Sequence, residues 1–135
     1  MKTSYFAHKE AISNPDSVAI CRGVPSWFKG RIYSPLAPSW ELLQQGKRSK
    51  IPPHVCALEY YKEVLSLLNP SQVYKDLGEN AILLCWEKPG DFCHRRIVAV
   101  WLEKKLNVRV PELDYENLLF DDYDVDIETF LKTVL

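Results

Sequence analysis

Residues 81–102, AILLCWEKPGDFCHRRIVAVWL, join two apolar runs through a polar turn that carries two cysteines, a histidine and two arginines. The first run has the length and composition of a buried strand, whereas the second is long enough to continue as a helix. Pro89-Gly90 predicts a type II turn, and Asp91 predicts the N-cap of a helix that runs to about residue 106. Strand, turn and helix in this order are the unit from which parallel α/β sheets are built.

The same alternation extends over the rest of the chain. Strands are predicted at TSYF (3–6), SVAIC (17–21) and VRV (108–110), and helices at 39–46, 54–68 and 69–78. Residues 25–38, with three prolines and one glycine, are predicted to form a long ordered loop. We therefore expect a single α/β domain over residues 1–135, Rossmann-like, with a mostly parallel sheet flanked by helices.

Within the longest predicted helix, four apolar residues recur at helical spacing: Leu58, Tyr61, Leu65 and Leu68. This pattern predicts that they form the face that packs on the core.

Charge is distributed unevenly along the chain. Residues 1–110 carry sixteen Lys/Arg and ten Asp/Glu, for a net charge of +6. Residues 111–135 carry one Lys and eight Asp/Glu, for a net charge of −7. A basic body favours an anionic partner, either a small molecule or a nucleic acid, although ordinary surface charge is an equal alternative. The acidic segment 111–135 is expected to dock on the body, because a helix starting at Asp126 would place its apolar residues on one face.

The chain has no apolar run of membrane-spanning length and no secretory h-region, so we expect no membrane partner and a cytoplasmic location. Its four cysteines are irregularly spaced, unlike the framework of a small secreted domain. We therefore expect reduced thiols.

The residues that carry chemistry follow two predicted strands, in segments 21–31 (CRGVPSWFKGR) and 85–95 (CWEKPGDFCHR). In open α/β sheets, ligands bind beyond the carboxyl ends of the strands. Glu87 is a candidate acid, base or nucleophile. Cys93 is a candidate thiolate, because a first helical turn with unpaired N–H groups lowers a cysteine's pKa. His94, on the inward face of the helix, is a candidate to orient the reacting groups or to transfer a proton.

Ligand binding is predicted for Arg22, at the end of a strand, and for Arg95, on the more packed side of the helix. Arg96 is assigned to solvent, on the face of Glu103. Aromatic side chains can stack on bases, and cations between them can hold phosphates. Three loop residues are therefore further candidates for ligand binding: Trp27, Lys29 and Arg31. A loop pinned to the body by its own aromatic side chains is the structural alternative.

Other candidates also have structural interpretations. The cysteines can be core residues, His94 a hydrogen-bonded core histidine, and Glu87 the ion-pair partner of Arg95 or Arg22. No metal site is predicted, because the spacing matches no zinc pattern. One zinc-binding cluster stays geometrically possible if the strands that end at Cys21 and Cys85 are neighbours: Cys21, Cys85, Cys93 and His94.

Two segments, RGVPSWFKGRIYSPLAPSWELL (22–43) and LLCWEKPGDFCHR (83–95), together resemble the Domain of Unknown Function 488 family. The resemblance implies a Rossmann-like domain, often of bacteria and their phages, and supplies no activity. Carried over residue by residue, it points to Arg22, Gly23, Pro25, Cys85, Glu87, Cys93, His94 and Arg95. Cys21 falls where the family pattern suggests a small apolar residue.

The leading hypothesis is a small enzyme that binds a phosphorylated, nucleotide-like ligand at the carboxyl edge of the sheet. A nucleic-acid-binding module without catalysis is the alternative, and a structural thiol or zinc protein is a third interpretation. The sequence leaves the reaction, the cofactor and the oligomeric state open.

Overall fold

Strand β4, Ile82–Cys85, lies inside the sheet, and all four of its residues are buried. The computed structural model describes residues 1–47, 53–87 and 94–114. In this part of the chain β1 (Lys2–Tyr5), β2 (Ser17–Ala19) and β3 (Arg31–Ile32) complete a four-stranded sheet of order β1-β4-β2-β3. Every pair of neighbouring strands is parallel. The predicted α/β class and parallel sheet are confirmed, and the Rossmann-like topology stays a prediction.

Helices cover both faces of this sheet. They are α1 (Lys9–Ser13), α2 (Trp40–Lys47), α3 (Pro53–Glu63), α4 (Pro70–Leu77) and α5 (His94–Leu106), with 3₁₀ turns at Ser34–Leu36 and Leu65–Leu67. Successive residues of a strand point to opposite faces. Accordingly, Val18 and Leu83 belong to the larger apolar cluster with α3, α4 and α5, whereas Ala19 and Leu84 belong to a smaller one with Ala11 of α1.

Both predicted ends of α4 and the predicted N-cap of α2 are confirmed, whereas α2 continues through Gly46, its predicted end, to Lys47. Asn69 caps α4 through its Oδ1, which accepts from the backbone N–H of Gln72 at 3.2 Å. Gly78 ends that helix with a φ of 94°, a conformation that only glycine adopts without strain. At α2, the hydroxyl of Ser39 accepts from the N–H of Leu42 at 3.1 Å, as an N-cap does.

Three sequence predictions need correction. The buried face of α3 includes Ala57 and Tyr60 and continues to Val64, just after the helix ends. The predicted stripe is not this face, and only its Leu65 is buried. The loop 25–38 contains β3 and a 3₁₀ turn. Residues 108–110 do not form a strand.

The chain after Val110 lies along β1 instead. Glu112 forms an isolated parallel bridge with Thr3, whose N–H donates to Pro111 O at 3.0 Å and whose carbonyl accepts from Leu113 N at 2.8 Å. The first residues of the acidic segment therefore extend the sheet. Three parts of the sequence predictions lie outside the described residues: the Asp91 cap, Cys93, and residues 115–135 with the helix at Asp126. In the described ranges, no helix is long and apolar enough to cross a membrane.

Gly30 packs too closely on Phe28 to carry a side chain. A Cβ added at Gly30 would lie 2.5 Å from Phe28 Cζ and 3.2 Å from Ser17 Oγ. Gly30→Ala should lower the free energy of unfolding by about 1–3 kcal/mol, because the Phe28 ring must move. Gly23→Ala is the matched control: its Cβ would meet nothing within 4 Å, and its φ is not positive.

Urea unfolding measures both variants. Gly23→Ala should leave stability unchanged or raise it by about 0.4–1 kcal/mol, since the unfolded chain loses entropy. Equal losses in the two variants would contradict this description of the loop.

Candidate functional site

The carboxyl ends of β1, β4 and β2 meet at one edge of the sheet. Tyr5 pairs in register with Cys85, and Ala19 with Leu84. The pairing continues one residue further on each side, because Phe6 N donates to Cys85 O at 3.2 Å and Ile20 N to Leu84 O at 3.1 Å. The described residues that directly follow β2 and β4 are therefore neighbours, as the sequence predicted.

Four aromatic side chains form a surface at this edge: Phe6, Trp27, Phe28 and Trp86. The Phe6 ring is buried, and the other three rings contact it edge-on, with centroid separations of 5.1 Å to Trp86, 5.3 Å to Phe28 and 6.3 Å to Trp27. Phe28 is half-buried and pins the loop, as the structural interpretation expected. Trp27 and Trp86 remain 51% and 53% exposed, which leaves two large rings open to a ligand.

The carbonyl of Gly23 fixes Trp86 beside the β2 edge. It accepts from Trp86 Nε1 at 2.8 Å and from Cys21 Sγ at 2.9 Å. Arg22 lies between Cys21 and Gly23 in the chain. It is exposed and forms no salt bridge with a described residue. Arg22 is thus an exposed cation one residue before Gly23, whose carbonyl accepts from Trp86, and its predicted role in anion binding stays a prediction.

Glu87 directly follows Trp86 in the sequence and is half-buried. Burial, and to a smaller extent the charge of Glu87, raise the pKa of Cys21 to about 11. No ion pair joins Glu87 to another described residue. The suggested pairing of its carboxylate with Arg22 or Arg95 is not present, although Arg95 donates to the backbone carbonyl of Glu87.

His94 occupies the start of α5 and faces inward, as predicted. Its Nε2 lies 2.7 Å from the carbonyl oxygen of Ile20, and its Nδ1 lies 3.7 Å from Cys85 Sγ. A carbonyl only accepts, so Nε2 carries the proton and the neutral ring presents Nδ1 as an acceptor. Burial chiefly, and the charge of Arg95, lower the pKa of His94 to about 4, although the bond to Ile20 opposes this. Near neutral pH His94 is a fixed, uncharged imidazole.

This lowered pKa has a measurable effect on stability. Above pH 6.5 both folded and unfolded states hold a neutral His94; as the pH falls towards 4, only the unfolded state takes up the proton. The folded protein should therefore lose up to about 3 kcal/mol over this interval through His94 alone. Urea unfolding at several pH values should show that His94→Gln removes this part of the dependence. An identical pH dependence in wild type and variant would contradict it.

Arg95 is buried in a bidentate ion pair with Glu112. Its Nε donates to Oε1 at 3.0 Å and its Nη2 to Oε2 at 2.8 Å, and both residues are 1% exposed. The remaining nitrogen, Nη1, donates to the backbone carbonyl of Glu87 at 2.6 Å and approaches Cys85 Sγ at 3.7 Å. Tyr5 covers the guanidinium, with 5.9 Å between Cζ and the ring centroid. The inward position of Arg95 agrees with the prediction, whereas Glu112 was not among the predicted site residues.

The other predicted cations are dispersed. Lys29 is exposed in the loop. Arg31 pairs with Val18 within the sheet, and its Nη2 donates to Leu77 O at 2.8 Å, so it is not grouped with Arg22. The assignment of Arg96 to solvent is wrong: its Nη1 donates to Thr3 Oγ1 at 2.9 Å and to Val110 O at 2.8 Å.

The cysteines differ in state. Cys21 and Cys56 are free and buried, and burial raises the pKa of both thiols. Cys85 is disulfide-bonded, so the expectation of four reduced thiols is wrong. Cys93, the candidate thiolate, is not among the described residues. Within the described ranges, no group of three or more His, Cys, Asp or Glu side chains is placed to hold a metal ion.

The protein is a small α/β protein with a parallel sheet. Near the carboxyl edge of this sheet lie an aromatic surface, an exposed arginine and a glutamate that forms no ion pair with a described residue. The family model described as the active DUF488-N3 subclade matches residues 16–106. The chain belongs to the DUF488 family, which confirms the resemblance noted from the sequence. No curated protein and no solved structure matches the chain. The match includes Arg22, Glu87 and Arg95, whereas Phe6 and Glu112 lie outside it.

Proposed function

We propose that the protein is a small enzyme that binds a phosphorylated, nucleotide-like ligand at the carboxyl edge of its sheet. The observation that carries the proposal is the pair of half-exposed rings, Trp27 and Trp86, beside the exposed cation of Arg22. Aromatic rings stack on a base of any identity, and a guanidinium binds phosphate oxygens through paired N–H groups. An aromatic surface with one adjacent arginine therefore suits a base attached to a phosphate.

Glu87 supplies the catalytic part of the proposal. Its carboxylate has no ion-pair partner among the described residues, and its backbone is held by Arg95. A carboxylate fixed beside a bound ligand can take or give a proton, or attack as a nucleophile. His94, held neutral by its surroundings, orients neighbouring groups rather than supplying charge.

Binding and turnover test this proposal separately. Nucleoside 5′-monophosphates should bind more tightly than the corresponding nucleosides, and Arg22→Met should remove this difference. Incubation with a panel of phosphorylated nucleotides, followed by mass spectrometry, should reveal one that is consumed by the wild type and spared by Glu87→Gln. Equal affinity for nucleoside and nucleotide would contradict the anion site. Consumption that is undiminished in Glu87→Gln would contradict the catalytic assignment.

A nucleic-acid-binding module without catalysis is the second candidate, favoured by the same two rings and by the net charge of +6 on residues 1–110. Single-stranded oligonucleotides should then bind with an affinity that falls steeply with salt, because bound phosphates release counterions. Tight binding of oligonucleotides together with no binding of mononucleotides would favour this candidate over the enzyme. A structural zinc protein, the third interpretation, would be revealed by metal analysis of the purified protein.

A further inference from the structure

Glu112 is connected to Glu87 by a chain of buried and partly buried hydrogen bonds. The Thr3 hydroxyl donates to Glu112 Oε1 and accepts from Arg96 Nη1 at 2.9 Å. Glu112 in turn accepts two hydrogen bonds from Arg95, from Nε at 3.0 Å and from Nη2 at 2.8 Å. Arg95 then donates to the carbonyl of Glu87 at 2.6 Å. The position of a site residue therefore depends on a carboxylate contributed by the C-terminal segment.

We propose that Glu112 is a positioning residue, which acts through Arg95 to fix the backbone of Glu87 at the carboxyl end of β4. Three of the nitrogens of Arg95 are already bonded within the protein and the residue is 1% exposed, so Arg95 supports the site rather than touching the ligand. A bidentate carboxylate partner fixes the plane of the guanidinium, and with it the direction of Nη1. The site thus extends beyond residues 16–106, the part that the family model covers.

The first test needs no ligand. In Arg95→Met/Glu112→Met the ion pair is replaced by apolar side chains, a change that is often neutral or stabilising, so the variant is expected to fold. Its Glu87 carbonyl-carbon resonance should move from the wild-type position, because the bond from Nη1 is lost. Asp114→Asn is the control: it weakens the contact of the same segment with His8, 2.5 Å between Nε2 and Oδ2, at the surface. It should leave the Glu87 resonance in place.

The second test rests on the proposed function and uses adenosine 5′-monophosphate as the probe. Glu112→Gln keeps the side-chain shape and loses one charge-assisted bond to Arg95. If Glu112 positions Glu87, the affinity should fall by about 2–30-fold in a folded variant. If Arg95 instead bound the phosphate directly, loss of the competing carboxylate would raise the affinity, and the proposal would be wrong.

These results separate the two proposals. An unmoved Glu87 resonance in the double variant, or an equal movement in Asp114→Asn, would overturn the positioning role whatever binds. A wild-type protein that binds no nucleotide would overturn the proposed function, while the ligand-free measurement would still decide the role of Glu112.

Discussion

Replacing Arg95 by methionine should lower the free energy of unfolding by about 3–5 kcal/mol, because it leaves the Glu112 carboxylate buried without its cation. Glu112→Met should cost about as much, since it leaves a buried guanidinium unpaired. Both partners are 1% exposed, so water cannot solvate the charge that is left unpaired. Urea unfolding of the two single variants and the double variant gives the coupling free energy of the pair.

The double variant should be nearly as stable as the wild type, which distinguishes the penalty of an unpaired charge from loss of packing. Lys62→Met is the matched control at an exposed ion pair, in which Lys62 Nζ lies 3.9 Å from Glu59 Oε1 and the side chains are 68% and 52% exposed. Its effect should stay below about 1 kcal/mol. Losses that add up in the double variant would show that the ion pair does not couple the two residues.

Trp86→Ala should weaken the binding of nucleoside 5′-monophosphates by about 5–150-fold, the range that corresponds to loss of one stacked ring at 1–3 kcal/mol. The ring lies at the carboxyl end of β4, 53% exposed, and its indole N–H is fixed by Gly23 O at 2.8 Å. Because the ring is already fixed before binding, little side-chain entropy is lost on stacking. Titration calorimetry measures the change directly.

Trp40→Ala is the control for this prediction. Trp40 is 56% exposed at the start of α2 and is not part of the aromatic surface. Its replacement should leave the affinity unchanged. Equal losses in the two variants would indicate a general effect on the fold, and no loss in Trp86→Ala would remove the aromatic surface from the site.

Local signals in the sequence predicted the sheet well. Strands β2 and β4 are apolar runs bounded by turn residues, and Asn69 and Gly78 fix the ends of α4 through their own backbone preferences. The short strand β3 was missed, because two exposed residues in a proline-containing loop carry no periodic pattern. Its pairing with β2 is a tertiary effect.

The buried face of α3 was predicted one residue out of register. Leu58 and Tyr61 have the spacing of a core stripe, but so do Ala57, Tyr60 and Val64. The choice is made by packing: the Tyr60 hydroxyl donates to Leu36 O at 2.6 Å, a partner that lies far away in sequence. A helix with two adjacent apolar stripes does not reveal which one faces the sheet.

It could be predicted that the segments carrying Arg22, Trp27 and Glu87 begin at the same edge, because parallel strands bring their carboxyl ends to one edge. Glu112 could not be found from local pattern, since it lies among the acidic residues after Pro111. One signal was available: Arg95 was assigned to the packed side of its helix, and a buried arginine requires a carboxylate. Which carboxylate it takes depends on how the segment after Val110 returns to β1.

The indole N–H resonances of the four tryptophans test the central claim most directly, since the chain contains two at the proposed site and two elsewhere. In a titration with adenosine 5′-monophosphate followed by ¹H–¹⁵N correlation spectra, Trp27 and Trp86 should shift together, with one dissociation constant. Trp40, exposed on α2, and Trp101, buried in α5, should stay in place. Shifts at Trp40 or Trp101 without shifts at Trp27 and Trp86, or no shift at all, would contradict a nucleotide site at the carboxyl edge of the sheet.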